Sequence, residues 1–444
     1  MTKVKRGGTL SLYPLKLKVR ERKRMKNFLK VAKVSFMVMA CALFLGIGIK
    51  AEAAPGKVAG LKQVDANSGS VTIQWDVPAG DVKAYLVEWC QSNTFTGSTY
   101  SYAQTTGTGA KITNLAAGKS YYVRVTAADS EAAGLTSNAI ETVTAPSGKV
   151  ANFKQTKAEA KKIPVSWKKV TGANGYYIGY YKKSTNGKTK FVTTGNVSSY
   201  KLSAAENTRY RVDILPIRKS STGFVAYGAN SPGFKDMATT PKKVTKLKFI
   251  GSGSSTDPYA KMAYFSWSRS DAAEGYEYTL YGNNGKQAAK GTIKTDKPNK
   301  GVVISNKKLV NTQFMKIRVR AYITVNGSKK YGPASDYCWF GKYPPSVKKA
   351  MAGRYASDGV KISWKKMTGA KNYTVYVSTK PNSGYKKVTT TSKTSCVIKK
   401  CGGSTITTGK YYYYKVVASK KVGKKTIKSD DDWHGEFFIT TRYY

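Results

Sequence analysis

The chain has 444 residues, with 76 Lys and Arg against 24 Asp and Glu and one histidine, for a formal net charge of +52. That excess of positive charge lies well beyond what solubility requires and points to polyanionic partners. A single histidine leaves no place for a histidine-based triad away from position 434.

Residues 1–33 carry twelve Lys or Arg and one acid, Glu21; an uncharged run follows over 34–49, and then Ala51-Glu52-Ala53. A basic segment, an apolar run and a small-x-small site predict a secretory signal peptide over residues 1–53, cut between Ala53 and Ala54. Sixteen uncharged residues fall short of the roughly 20 that span a membrane, so the membrane is expected to be met only in transit. Retention as an anchor and lipidation at Cys41 stay open at this point. Met25 opens a signal of ordinary length and is an alternative start.

Beyond residue 53 one pattern returns four times. Ser166-Trp167-Lys168-Lys169-Val170-Thr171-Gly172-Ala173 recurs almost letter for letter as Ser363-Trp364-Lys365-Lys366-Met367-Thr368-Gly369-Ala370, with looser copies at Trp267 and Trp75. A tyrosine follows nine residues after three of these tryptophans and ten after Trp75. The tryptophans lie 92, 100 and 97 residues apart, the length of a small domain with its own core. Proline at each junction divides the chain into 54–146, 147–241, 242–344 and 345–444, with short linkers that limit bending.

Within each copy, period-two alternation (Val71, Ile73, Trp75; Ile163, Val165, Trp167; Val360, Ile362, Trp364) marks a strand with one buried face. Hairpin signals follow at Asn186-Gly187, Asn284-Gly285 and Asn326-Gly327, where Asn-Gly suits a type I′ turn. Between 43 and 48 residues after each tryptophan comes a second signature: Tyr121, Val123, Val125; Tyr210, Val212, Ile214; Met315, Ile317, Val319; and Tyr412, Tyr414, Val416. The expected fold is all-β, in antiparallel sandwiches.

A leucine, a glycine turn and then Tyr-x-Val-x-Val resembles a tyrosine corner, and with the spaced tryptophan each unit resembles a fibronectin type III domain. The resemblance covers roughly residues 55–443. It implies four tandem sandwiches with Trp75, Trp167, Trp267 and Trp364 in their cores and Tyr121, Tyr210 and Tyr412 at their corners. Met315 stands where the third copy should have its tyrosine, so a looser corner is expected there. It also implies a secreted or cell-surface repeat protein of bacterial type.

Four cysteines follow the leader, and Cys396 with Cys401 are near enough for a local bridge or for two independent thiols. No metal-ligand spacing, phosphate loop, nucleophile elbow or cofactor motif occurs. His434 beside Asp430-Asp431-Asp432-Trp433 reads as a charged turn before a last strand over 436–440 rather than an acid–base cluster. A non-enzyme is expected, with neither metal nor cofactor.

Charge is uneven. The first unit has 6 Lys plus Arg against 7 acids; the next three have 17 against 4, 19 against 6 and 21 against 5. Candidate polyanion contacts are Lys182, Lys183, Lys188 and Lys190 around one hairpin, and Lys420, Lys421, Lys424, Lys425 and Lys428 around another. Expected partners are anionic cell-wall polymer or acidic polysaccharide, with other surface proteins second and nucleic acid removed by export. The rival reading, an accessory to extracellular polysaccharide degradation, rests on the tyrosine-rich strands, whose alternation sends half the rings outward.

Overall fold

The computed structural model describes residues 54–95, 100–130, 132–184, 188–229, 231–252, 261–295, 297–310, 312–342, 348–352, 359–431 and 434–439. The leader with Ala53, the turn Asn186-Gly187, the linker Tyr343-Pro344-Pro345 and the pair Asp432-Trp433 lie outside these residues; Ala54 is exposed.

Four antiparallel sandwiches follow one another. In the first, the smaller sheet pairs Lys62–Ala66, Val71–Gln74 and Gly109–Ile112, and the larger pairs Ser101–Thr105, Ala84–Cys90, Ser120–Ala128 and Ile140–Val143, each in that order. The second repeats this with a smaller sheet on Lys162–Lys168 and a larger one on Gly175–Lys182 and Arg209–Lys219. The third is built on Met262–Ser266, Gly275–Tyr281 and Met315–Val325, and the fourth on Val360–Ser363, Asn372–Ser378 and Tyr411–Val422. In units two to four the last strand is broken in two, and both pieces pair with the same long neighbour.

Alternation explains why these strands form sandwiches: Tyr121, Val123 and Val125 are buried while Tyr122 and Arg124 face outward, and the other long strands repeat the pattern. The tryptophans are at most 4% exposed, each against the tyrosine that follows it, with ring centroids 5.1–5.3 Å apart. In three units that tyrosine also fixes the turn between the two residues. The N–H of Val170, Ser270 and Met367 donates to the hydroxyl of Tyr176, Tyr276 and Tyr373 at 2.8, 3.0 and 2.8 Å. The first unit has Pro78 at the matching place, three residues past Trp75, and a proline has no N–H to give.

The corners hold in the same way. The N–H of Ala116, Ala205 and Thr407 donates to Tyr121, Tyr210 and Tyr412 at 2.8, 2.8 and 3.0 Å. In the third unit the corner is packed rather than loose. Met315 is 1% exposed, and Phe249, Phe265 and Phe340 cluster beside it with centroids 5.0–5.6 Å apart. Asn326 and Gly327 both take positive φ (50° and 74°), as a type I′ turn requires. At Asn284-Gly285 only the glycine does; the loop is wider, closed by the Gly282 N–H to Lys286 and the Gly285 N–H to Gly282. Cys396 and Cys401 are free thiols, each pushed up by burial, Cys396 to about 11.

The units are joined by more than linkers. Arg218 donates to the Gly172 carbonyl (3.1 Å) in its own unit and to Ser120 Oγ (2.9 Å) in the unit before, and Ser120 donates in turn to Glu141. At the next boundary Arg209 reaches the Ala273 carbonyl at 3.3 Å, and Ser270 bonds Asn207. At the third, the Phe314 N–H donates to Thr368 O (3.0 Å) and the Thr368 N–H to Thr312 O (2.8 Å). The Phe314 ring is fully buried in the apolar cluster of the fourth unit. Each boundary is thus bonded directly, beside the short linkers that the prolines mark.

Candidate polyanion-binding surface

The two lysine clusters occupy hairpins of the larger sheets. Lys182 ends the strand Gly175–Lys182, Lys190 opens its partner Lys190–Gly195, and the register sets Tyr180 opposite Lys190. Lys182, Lys183, Lys188 and Lys190 are therefore grouped at the open end of one hairpin, all exposed. Lys183 is ion-paired to Asp236 at 2.5 Å, so its charge is already answered. Lys182, Lys188 and Lys190 have no ion-pair partner among the described residues.

On the fourth unit, Tyr411–Val422 and Lys425–Lys428 form a hairpin that turns at Gly423, with φ 55°. Lys421, Lys424, Lys425 and Lys428 are exposed there, again without an ion-pair partner among the described residues. Lys420 is different. Its ammonium donates to Asn283 Oδ1 of the third unit (2.8 Å) and lies 4.8 Å from the Trp339 ring, so it is half-buried at a boundary. Alternation along the strand explains the split: Lys420 and Lys421 point to opposite sides.

One acid of the C-terminal run is used internally. Asp430, in the run that read as a charged turn, is 8% exposed and accepts the Ser252 N–H, while its own N–H donates to Gly341 O. Burial pushes the Lys342 ammonium down, and the nearby Asp430 charge works the other way. His434 lies edge-on to Tyr413, with centroids 5.5 Å apart. Among the described residues no three His, Cys, Asp or Glu gather closely enough to hold a metal, and no helix is long and apolar enough to cross a membrane.

A feature that the sequence reading missed lies on the outer faces of the larger sheets, where rings and cations interleave. In the second unit Tyr177 stacks on Phe191 (5.0 Å) and meets Tyr227 (5.3 Å), and Arg211 lies over Phe234 (5.4 Å). Phe191, Tyr227, Phe234, Tyr337 and Tyr411 are each 45–58% exposed. The alternation gave the direction of these rings but not their neighbours, which come from strands distant in sequence.

Residues 54–143 match the family model of the fibronectin type III domain. No curated protein matches the chain. Among solved structures it is similar to the FN1–FN3 domains of chicken CNTN1, with 19% identity, a TM-score of 0.22, and coverage of 65% of this chain and 98% of that one. It is also similar to a segment of two fibronectin type III domains from chicken tenascin, with 15% identity, a TM-score of 0.22, and coverage of 42% and 98%.

Proposed function

We propose that this chain, whose first unit is a fibronectin type III domain and whose other three repeat the same two-sheet sandwich, is an exported adhesion or spacer protein without catalytic activity. Its second to fourth units bind an anionic polymer of the cell envelope, either a wall polymer or an acidic polysaccharide. Repeats of this domain are typical of adhesion and spacer proteins. The observation that carries the polyanion reading is the state of the candidate lysines. Seven of the nine (Lys182, Lys188, Lys190, Lys421, Lys424, Lys425 and Lys428) stand exposed with no ion-pair partner among the described residues. Unanswered charges on separate hairpins favour one long polymer, each contact weak alone and strong in series.

The test is binding of the full mature chain to isolated cell wall across a salt titration. Affinity should fall steeply with salt as counterions are released. Replacing Lys421, Lys424, Lys425 and Lys428 with Gln should lower the slope by about one for each lysine in contact, with the fourth unit still folded. Lys420 is left alone because its ammonium serves the boundary with the third unit. Binding that ignores salt would sink this reading. The second reading, a sugar-contacting accessory protein, is favoured by the exposed rings of the larger sheets; it expects binding to neutral glycans that survives high salt.

A further inference from the structure

On the third unit, strand Met315–Val325 sends Lys316, Arg318 and Arg320 outward while Met315, Ile317, Val319 and Ala321 are buried beneath. The three cations are treated differently. Arg320 is neutralised by Glu277 (2.7 Å), which also takes Lys290 (3.1 Å) and the Tyr331 hydroxyl (2.8 Å). Burial opposes ionisation of Glu277, yet the bonds from Tyr331, Lys290 and Arg320 outweigh it and hold its carboxyl below the ordinary range.

Lys316 and Arg318 have no ion-pair partner among the described residues and meet rings instead. The Lys316 ammonium is 4.1 Å from the centre of Tyr337, 5.4 Å from Trp339 and 5.7 Å from Tyr281. The Arg318 guanidinium is 5.5 Å from Tyr281 and 5.6 Å from Tyr337. The two phenols lock edge to face at 5.4 Å. Lys420 extends this surface across the unit boundary, 4.8 Å from the Trp339 ring.

A cation over an exposed ring gains little, about 0.5–1 kcal/mol, so these charges are held in place and stay available to an anion. A polyphosphate would meet the cations and accept from the phenols, but it has no hydroxyl to donate to them and no ring for the indole; a neutral glycan would use only the phenols and the indole. A base needs an open ring face on which to lie, and the Lys316 ammonium stands over that of Tyr337. A polymer of sugars that carry carboxylates answers both halves: hydroxyls bond the phenols, and carboxylates take the ammonium and guanidinium in charge-assisted bonds.

We propose that Tyr281, Lys316, Arg318, Tyr337, Trp339 and Lys420 form a docking site for a carboxylated polysaccharide. The proposal rests on the polyanion reading above and names the polymer class. The test titrates the full mature chain with polygalacturonate, polyphosphate, dextran and oligodeoxythymidylate. The chain should bind polygalacturonate more tightly than the other three. Tyr281→Phe with Tyr337→Phe, which keeps the ring packing, should weaken polygalacturonate roughly tenfold, two lost hydrogen bonds of ordinary strength, and weaken polyphosphate less, since its oxygens only accept. Lys316→Gln with Arg318→Gln should weaken both polyanions and lower the salt slope by about two. Equal binding of polygalacturonate and polyphosphate, with the phenol variant acting alike on each, overturns the site while the broader reading stands. Tighter binding of oligodeoxythymidylate or dextran than of polygalacturonate overturns it as well. Failure to bind any polyanion sinks the broader reading and the site with it.

Discussion

Phe314 belongs to the third unit by sequence and to the fourth by packing. It is fully buried in the cluster that holds Val360, Trp364, Met367 and Tyr412, beside Gly341, where an added methyl would meet both its ring and the end of Met367. Phe314→Ala empties an aromatic socket, which costs about 3–5 kcal/mol in a packed core. The two backbone bonds to Thr368 do not involve the ring and hold the chain path. For a domain of about 100 residues, each kcal/mol moves the midpoint by roughly 4–8 °C, so 3 kcal/mol gives a fall of roughly 12 °C or more. Scanning calorimetry of the full chain reads it, with Trp364→Ala run in parallel to identify the fourth unit's transition. The same transition should move in both variants, and Trp364→Ala should also lower the third unit's midpoint, because Phe314 loses its socket. If Phe314→Ala moves nothing, or only a transition that Trp364→Ala leaves in place, the shared core is refuted.

Other expectations are smaller. Tyr176→Phe leaves the Val170 N–H buried without its acceptor (2.8 Å) and should cost about 1–3 kcal/mol in urea unfolding; Tyr85→Phe should cost far less, since Pro78 offers no N–H. The boundary between the first two units should respond to acid. Burial of Glu141 opposes ionisation, but bonds from Ser120 and Ser221 and the charge of Arg218 hold its carboxyl below 4.5. A lowered folded value means stabilisation that is complete above pH 4.5 and is lost as pH falls below it through the folded value. The Ser221 amide, which donates to Glu141 at 2.7 Å, should lose hydrogen-exchange protection over that range, and Glu141→Gln should abolish the dependence.

What the sequence made legible was local and periodic. A buried face at period two, a tryptophan paired with the tyrosine that follows, and a phenol five residues past its donor all sit within one short stretch, so composition and spacing reveal them. The boundaries are not of that kind. Arg218 meets Ser120 across nearly a whole unit of chain, and nothing in either neighbourhood announces it. Lys420 reads as one more hairpin lysine until the third unit brings Asn283 to its ammonium. Asp430 reads as part of a solvated acidic turn, yet it is buried against the Ser252 backbone. The ring and cation surface of the third unit fails for the same reason, because it takes Tyr281, Lys316 and Tyr337 from three separate strands or loops.

The near-identity of the stretches at Trp167 and Trp364 then has two causes rather than one. Tryptophan, tyrosine and the alanine after the glycine are needed for the core, but the glycine is needed at the boundary. Gly172 and Gly369 take φ of 81° and 85°, which glycine adopts without strain. A methyl on Gly172 would fall 2.7 Å from the Cα of Gly118 in the preceding unit, and one on Gly369 would collide with Asn283. The third copy has Asp271-Ala272-Ala273 there, and it docks through hydrogen bonds from Ser270 and the Ala272 N–H to Asn207 instead. Such contacts bear on binding as well as on folding. Sites fixed relative to one another keep a second contact at high effective concentration only where ligand spacing matches, whereas sites on loose linkers accept any spacing at lower gain. A chain whose boundaries are bonded in this way should therefore favour a stiff, regularly charged polymer over a flexible one of equal charge.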